Sequence, residues 1–181
     1  MKFLQQKVFY KRQNMKVAIV KYNAGNVQSV IYALNRLGID PILTDDEQEL
    51  RSADKVIFPG VGEASTAMSY LKKANLDKVL PTLTQPFLGV CIGQQLMCEH
   101  SEEGDTSCLG IFPLKVKRFP QGVDKNGDTI KVPHMGWNSL KIHNNHPLFK
   151  GLNDESYVYY VHSYYCESVS YTHLTLPTKR I

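Results

Sequence analysis

Strand-like and helical patterns alternate along residues 16–97, and this alternation limits the folds that the chain can adopt. Short apolar runs typical of strands lie at residues 16–22, 41–43, 55–58 and 86–90. Apolar residues spaced three and four positions apart predict helices at about residues 27–37 and 63–73, the first of them ended by Gly38. Such alternation predicts an α/β fold with a mostly parallel sheet, helices on both faces, and functional loops at the carboxyl ends of the strands.

Beyond residue 108 the pattern changes to strand-like runs, which predict a small antiparallel extension. These runs lie at residues 114–119, 139–142 and 157–161. Residues 1–14 have no clear periodicity, and residues 168–181 fit neither period. We therefore interpret residues 15–167 as the domain, residues 1–14 as an N-terminal extension and residues 168–181 as a tail, with non-native sequence as one explanation.

The charged and apolar residues exclude several classes of function. Lys and Arg number 21 and Asp and Glu number 17, a formal net charge of +4 that is spread along the chain. Nucleic-acid binders concentrate positive charge in a dense patch, so we expect no nucleic-acid partner. No apolar run approaches the roughly 18 residues that a membrane helix needs, so we expect a cytoplasmic protein without membrane contact.

The four cysteines, Cys91, Cys98, Cys108 and Cys166, include no Cys-x-x-Cys pair. That spacing argues against a zinc site or a dithiol redox centre. We therefore expect free thiols, no metal and no cofactor.

Gly89-Val90-Cys91-Ile92-Gly93 has the form Gly-x-Cys-x-Gly, placed where a strand-like run meets a helix-compatible segment. This is the thiol counterpart of the Gly-x-Ser-x-Gly turn that carries a nucleophile. The glycines are needed because a strand that turns sharply into a helix brings its backbone close to itself. The turn directs the sulfur outward, and the amides of the helix start favour a thiolate. Cys91 is therefore the candidate nucleophile.

Attack by Cys91 on a carbonyl carbon would create an oxyanion, and two backbone amides are placed to bind it. The amide of Ile92, the residue after the nucleophile, is the first candidate donor, and Val61 in Pro59-Gly60-Val61-Gly62 is the second. The alternative is an ordinary buried cysteine. The flanking glycines, the strand, the helix and the second turn together favour catalysis, whereas Cys98, Cys108 and Cys166 share none of this setting.

These motifs resemble a known family. Gly89-Val90-Cys91-Ile92-Gly93-Gln94-Gln95-Leu96 is similar to the nucleophile motif of class I glutamine amidotransferases, and Pro59-Gly60-Val61-Gly62 to their oxyanion turn. Three further segments resemble the glutaminase subunit of imidazole glycerol phosphate synthase, namely Tyr22-Asn23-Ala24-Gly25-Asn26, Pro133-His134-Met135-Gly136-Trp137-Asn138 and Tyr160-Val161-His162-Ser163-Tyr164-Tyr165. The resemblance covers about residues 15–167 and implies a flavodoxin-like class I glutamine amidotransferase fold whose C-terminal part is missing.

The resemblance implies a function and a set of site residues. Glutamine would be split into glutamate and ammonia, and the ammonia passed to a (β/α)8-barrel cyclase subunit, the partner in a heterodimer that serves histidine biosynthesis. The implied substrate-binding residues are Gly60, Gln95, Ser163 and Tyr164, and the implied partner-facing residues are Asn26 and Trp137. The alternatives from the residues alone are a solvated helix position for Gln95, a core position for Trp137 and hydrogen-bonded structural roles for His134 and His162.

One departure from the family concerns the base that should activate Cys91. The family carries a His-Pro-Glu segment downstream of its Val-His-Ser-Tyr strand, whereas here His146-Pro147 is followed by Leu148 and His173 by Leu174. We interpret His146-Pro147 as a turn and carry over no histidine or glutamate. A truncated or chimeric enzyme with little or no activity is favoured over a natural inactive form. A non-catalytic module that binds the cyclase, and another cysteine hydrolase on the same sheet, are the remaining alternatives.

Overall fold

The computed structural model describes residues 15–22, 26–123, 127, 129–142 and 146–167. The chain divides into two compact units, Met1–Pro113 and Leu114–Ile181. The interpreted extension and tail lie outside the described residues, so the domain bounds stay a prediction. Within the described residues, no helix combines the length and the apolar character needed to cross a membrane.

The first unit is built on a parallel sheet, as the alternating pattern predicts. The strands are β1 (Val17–Val20), β2 (Ile42–Thr44), β3 (Lys55–Phe58) and β4 (Phe87–Gly89), in the spatial order β2-β1-β3-β4. The helices are α1 (Val27–Arg36), α2 (Glu47–Ser52), α3 (Ala64–Lys73), α4 (Leu76–Val79) and α5 (Ile92–Leu96), with a 3₁₀ turn at Leu80–Thr82. Two short antiparallel strands, β5 (His100–Ser101) and β6 (Thr106–Ser107), follow α5.

Both faces of this sheet carry helices because the side chains of β1 alternate between them. Ala18 and Val20 point into a core cluster formed with α2, α3, α4 and α5. Val17 and Ile19 point the other way and pack with Leu34 of α1. The prediction of helices on both faces is therefore confirmed. Gly38 follows α1 with φ 74°, the left-handed conformation expected of a glycine that ends a helix.

Helix α2 was missed because it is only six residues long. Its start nevertheless carries a capping signal, since the Asp46 side chain accepts a hydrogen bond of 2.9 Å from the Glu49 amide. Leu50 is fully buried beneath the helix. An Asp followed three residues later by Glu could have predicted this helix.

The apolar run at residues 86–90 forms a strand, but not the buried strand that its apolar residues suggest. Among the described strands, β4 pairs only with β3 and is the edge of the sheet. Leu43, Ile19, Ile57 and Leu88 form one row across the four strands. Ile19 in the middle is fully buried under α1, whereas Leu43 and Leu88 at the ends are 41% and 40% exposed. An apolar run alone does not reveal whether a strand lies at the centre or the edge of its sheet.

The second unit contains the predicted antiparallel strands. Strand β7 (Lys115–Arg118) pairs with β10 (Tyr164–Cys166), and β8 (His134–Ser139) pairs with β9 (Tyr157–His162). The prediction of a strand at residues 139–142 is wrong, because only Ser139 of these residues belongs to a strand, β8. The start of β8 was hidden because its residues alternate in polarity instead of forming an apolar run. His146 precedes a 3₁₀ turn at Pro147–Phe149, so the interpretation of His146-Pro147 as a turn is confirmed.

Candidate active site

Cys91 occupies the sharp turn between β4 and α5. Its backbone has φ 56° and ψ −122°, a combination that residues other than glycine rarely adopt, and the residue is exposed. Such strained backbone is a feature of functional sites, where the surrounding structure holds it in place. Helix α5 has only five residues, so the amides close to Cys91 matter more than a long helix dipole.

Two glycines allow this turn to form. A Cβ on Gly89 would lie 2.6 Å from both the Gln94 Cα and the Met97 Sδ, and a Cβ on Gly93 would overlap the carbonyl oxygen of Phe58. The Val90 amide also donates a hydrogen bond of 3.0 Å to that carbonyl. The cysteine turn is therefore packed directly against the carboxyl end of β3, which explains the Gly-x-Cys-x-Gly pattern in steric terms.

The amide of Ile92 is available to an external acceptor. The next amides are used, because Gly93 donates to the Val90 carbonyl at 3.1 Å and Gln94 donates to the Cys91 carbonyl at 3.1 Å. Ile92 is the first residue of α5, so its amide has no acceptor inside the helix. Within the described ranges, no hydrogen bond uses this amide. It can therefore donate to an oxyanion formed beside the Cys91 sulfur.

The turn at residues 59–62, which we call the glycine turn, lies beside the cysteine turn. Gly60 is buried, and a Cβ at this position would overlap both the Cγ2 of Ile92 and the hydroxyl of Tyr22. Val61 is 50% exposed, and Gly62 has φ 115°, a conformation that favours glycine. The two turns that the sequence analysis selected are thus brought together at the carboxyl ends of β3 and β4.

Tyr22, at the end of β1, also belongs to this site. It opens the family-like segment Tyr22-Asn23-Ala24-Gly25-Asn26, but the sequence predicted no role for it. Its hydroxyl donates a hydrogen bond of 2.6 Å to the Pro59 carbonyl, and its ring centroid lies 5.0 Å from that of Phe58. Burial raises the pKa of Tyr22, and the charge of an ionised Cys91 raises it further. A tyrosine at the carboxyl end of a parallel strand was the available signal.

Two glutamates surround the start of α3, directly after the glycine turn. A Glu103 carboxylate oxygen accepts a hydrogen bond of 2.9 Å from the Ala64 amide, so Glu103 caps α3 from the loop between β5 and β6. Burial raises the pKa of Glu103; the hydrogen bond from Ala64 opposes this shift and the charge of Glu63 adds to it. Hydrogen bonds from Ser65 and Thr66 lower the pKa of Glu63. No local sequence pattern distinguishes this pair of glutamates.

Gln95 and the other three cysteines are less exposed than Cys91. Gln95 is 9% exposed, so the alternative of a solvated helix position is wrong. Cys98 and Cys166 are buried, Cys108 is partly exposed, and none of the four cysteines forms a disulfide bond. Cys91 is the most exposed thiol of the four.

Ser163 and Tyr164 belong to the second unit, and their substrate-binding role stays a prediction. The Ser163 carbonyl accepts a hydrogen bond of 2.9 Å from the Phe119 amide, and the Tyr164 carbonyl lies 2.8 Å from the Nδ1 atom of His162. Asn138 Nδ2 lies 2.8 Å from His134 Nε2. These hydrogen bonds support the structural interpretation of both histidines.

The two implied partner-facing residues are at the surface. Asn26 precedes α1 in a left-handed conformation with φ 63°. Trp137 is 67% exposed on β8 and contacts Tyr159 of β9 at a ring-centroid distance of 5.4 Å, so the alternative of a core tryptophan is wrong. Their partner role stays a prediction. Within the described ranges, no three His, Cys, Asp or Glu side chains group closely enough to hold a metal ion.

The chain is similar in sequence and in fold to known glutamine amidotransferases. The family model of class-I glutamine amidotransferases matches residues 14–179. Imidazole glycerol phosphate synthase subunit HisH of Bacteroides thetaiotaomicron is 55% identical over 159 residues, which are 87% of this chain and 78% of the relative. The subunit of the same name from Bacteroides fragilis is 52% identical over 158 residues, with the same two shares. A crystal structure of a glutamine amidotransferase matches 80% of this chain and 70% of its own with a TM-score of 0.58 at 18% identity, which supports the fold.

Proposed function

Because the chain belongs to the class-I glutamine amidotransferases, and within them to the family of imidazole glycerol phosphate synthase subunit HisH, we propose that it is the glutaminase subunit of that synthase. It is a glutamine amidotransferase, which releases ammonia from glutamine for histidine biosynthesis. The observation that carries the assignment to a site is the exposed Cys91 in a strained turn beside the Ile92 amide and the glycine turn.

The proposed reaction proceeds through a thioester on Cys91. The sulfur attacks the side-chain amide carbon of glutamine, and the carbonyl oxygen becomes an oxyanion that the Ile92 and Val61 amides bind. The C–N bond then breaks, the proton lost by the Cys91 thiol ends on the leaving nitrogen, ammonia departs, and a γ-glutamyl thioester remains. Water attacks the thioester carbon, the C–S bond breaks, glutamate is released, and a proton from the water restores the Cys91 thiol.

The proton of the Cys91 thiol needs an acceptor, and the sequence lacks the His-Pro-Glu segment of the family. His100 is the one histidine in the first 113 residues, and its Nε2 lies 3.2 Å from a carboxylate oxygen of Asp105. Electrophilic analogues of glutamine report on Cys91 directly, because they alkylate the sulfur in one covalent step and need no hydrolysis to follow.

We assign substrate binding to Gly60, Gln95, Ser163 and Tyr164. Gly60 lies against Ile92, and the buried Gln95 is one helical turn from Cys91, which supports these two assignments. The proposed partner is the (β/α)8-barrel cyclase subunit, in a heterodimer. Four cysteines that form no disulfide bond fit a cytoplasmic location, which we also propose.

Exposed side chains on β8 and β9 support the partner assignment. Met135, Trp137, Tyr159 and Val161 occupy one face of this two-stranded ribbon, and each is at least half exposed. Apolar and aromatic side chains grouped in this way mark protein interfaces. Asn26, exposed in the first unit, is the second assigned contact.

Labelling with a chloroketone analogue of glutamine tests the catalytic assignment. The sulfur displaces chloride and forms a C–S bond, and peptide mapping by mass spectrometry identifies the modified cysteine. We expect Cys91 to be modified, glutamine to protect it, and Cys91→Ala to remain unlabelled at the other cysteines. Cys108→Ser is the matched control, because Cys108 is the next most accessible thiol. Equal labelling of Cys91 and Cys108, or no protection by glutamine, would refute the assignment.

Binding to the cyclase subunit tests the partner assignment. Trp137→Ala should weaken the complex about tenfold or more, because exposed tryptophans at interfaces contribute much of the binding energy. Leu148→Ala is the control, since Leu148 is 56% exposed in the same unit but lies outside the ribbon. Equal affinities of the two variants, measured by calorimetry, would remove Trp137 from the interface.

A further inference from the structure

Tyr22 connects the end of β1 to the glycine turn through its side chain. The residue is 4% exposed, and its ring packs against Phe58 at the end of β3. Its hydroxyl donates a hydrogen bond of 2.6 Å to the Pro59 carbonyl. This bond joins residues 37 positions apart in the sequence, so it is a tertiary constraint on the turn.

The hydrogen bond fixes the orientation of one peptide plane. In a trans peptide the carbonyl and the following N–H point in opposite directions, so holding the Pro59 carbonyl also holds the Gly60 amide. The next amide, that of Val61, is then set by the two backbone dihedrals of Gly60. Glycine allows those dihedrals a wide range, and the neighbours of Gly60 must restrict them.

Two side chains provide that restriction. The Tyr22 hydroxyl and the Ile92 side chain both occupy the space beside the Gly60 Cα, since a Cβ added there would overlap both groups. Ile92 is 3% exposed and is the residue after the nucleophile. Tyr22 and the nucleophile segment therefore pack together against Gly60 and leave it little room to move.

We propose that Tyr22 is a positioning residue for the oxyanion site, whose hydroxyl holds the Pro59 carbonyl and thereby fixes the peptide plane that leads into the Val61 amide. This inference rests on the proposed function, because it concerns the same site. Tyr22 itself need not touch glutamine, because it acts through the backbone of residues 59–61.

The chemical state of Tyr22 agrees with this role. Burial raises the pKa of the phenol, and the negative charge of an ionised Cys91 raises it further. The hydroxyl thus keeps its proton under the conditions in which Cys91 is a thiolate. It remains a hydrogen-bond donor to Pro59 while the nucleophile is charged.

The test compares two reagents on the full chain with Tyr22→Phe, which keeps the ring and removes the hydroxyl. The chloroketone analogue of glutamine reacts through its carbonyl in the oxyanion site, whereas iodoacetamide reports only the reactivity of the thiol. We expect the chloroketone to label Cys91 about fivefold to tenfold more slowly, which corresponds to the loss of one hydrogen bond. The iodoacetamide rate should stay within about twofold, because the hydroxyl does not set the reactivity of the sulfur.

Tyr70→Phe is the matched control, since Tyr70 packs against the same core from α3 and lies outside the site. Tyr22→Met provides a second variant without the hydroxyl, and the unfolding temperature is measured for each protein. Unchanged chloroketone rates, or equal slowing with both reagents, would overturn the role of Tyr22. Failure of the wild-type protein to label at Cys91 would instead refute the proposed function, so the two failures are distinguishable.

Discussion

The two faces of the parallel sheet differ in how completely helices cover them. On one face, Val56 and Phe58 are 1% and 0% exposed beneath a core that includes residues of α2, α3, α4 and α5. On the other face, α1 is the helix that packs against the sheet among the described residues. There Ile19 is buried, but Ile57 of β3 is only partly buried and Leu88 of β4 is 40% exposed. The β2 edge is open on both faces, since Ile42 and Leu43 are 42% and 41% exposed.

This difference shows which part of the sheet supports the site. Tyr22, Ile92, Leu96 and Met97 all belong to the fully packed core. Close packing restricts side chains to single conformations, and an oxyanion site needs its donors held to within a fraction of an ångström. The partly covered face carries none of the residues assigned to catalysis, so it can tolerate looser packing.

The largest expected effect comes from truncating a leucine on each face. Leu71 of α3 is 0% exposed, whereas Leu34 of α1 is 9% exposed. Leu71→Ala should lower the free energy of unfolding by about 4 kcal/mol, and Leu34→Ala by about 2 kcal/mol, because a cavity costs most where the surroundings cannot collapse. Urea denaturation measures both values. Equal losses would show that the two faces are packed alike.

A methyl group at the cysteine turn should produce the next largest effect. In Gly93→Ala, the new Cβ would overlap the Phe58 carbonyl oxygen, so α5 must move away from β3. We expect a loss of about 2 to 3 kcal/mol in the free energy of unfolding, and slower chloroketone labelling of Cys91. The control is Gly110→Ala, where no atom lies within 4 Å of the added Cβ and only the backbone strain of φ 65° opposes the change. A smaller loss for Gly93→Ala than for Gly110→Ala would contradict the close approach.

On the partly covered face, shortening a side chain should matter little. Leu88→Ala removes a side chain that is 40% exposed at the edge of the sheet. The free energy of unfolding should fall by less than about 1 kcal/mol, since little apolar surface is returned to water. The same denaturation experiment measures this value, and a loss as large as that of Leu71→Ala would show that Leu88 is covered in solution.

The smallest expected effect is electrostatic and depends on pH. The pKa of Glu103 is raised, chiefly by burial, so the folded protein binds this proton more tightly than the unfolded chain does. Stability from this group is therefore present below the unfolded pKa and is lost as the pH rises through the folded value. Glu103→Gln should remove that loss, because the amide does not ionise. The free energy of unfolding at neutral pH should rise by less than about 1 kcal/mol relative to the wild type, because solvent screens the partly exposed side chain.

Glu63→Gln is the matched control for Glu103→Gln and should act in the opposite sense. Hydrogen bonds from Ser65 and Thr66 lower the pKa of Glu63, so its contribution to stability is present above the unfolded pKa and is lost as the pH falls through the folded value. Thermal unfolding measured across the acidic range separates the two variants. Parallel pH profiles for both would contradict the assigned directions.

Much of the fold could be predicted because its signals are local. The strand–helix alternation predicted the parallel sheet, and the helical spacing with Gly38 predicted α1 closely. Helix α2 is short enough that its capping residues were a better signal than its periodicity. Strand β8 was misplaced because its residues alternate between partly buried and exposed positions, and several of the partly buried ones are polar.

Some residues of the candidate site could likewise be predicted from local sequence, and others could not. Cys91, Ile92 and the glycine turn were selected from glycine spacing, which reflects steric requirements within a few residues. The capping of α3 by Glu103 could not be predicted in this way, because the Ala64–Glu103 hydrogen bond joins residues 39 positions apart. Nothing in the sequence near Ala64 indicates which distant carboxylate will cap that helix.

The sequence by itself determined the secondary structure pattern, the cysteine turn and the resemblance to a family, since periodicity and glycine placement act over short stretches of chain. Only the tertiary structure decided that β4 lies at an edge, that Gln95 is buried and that Tyr22 reaches Pro59. These properties depend on which distant segments become neighbours when the apolar surfaces of the sheet are covered. That choice is made by packing of the whole unit, so no single segment contains it.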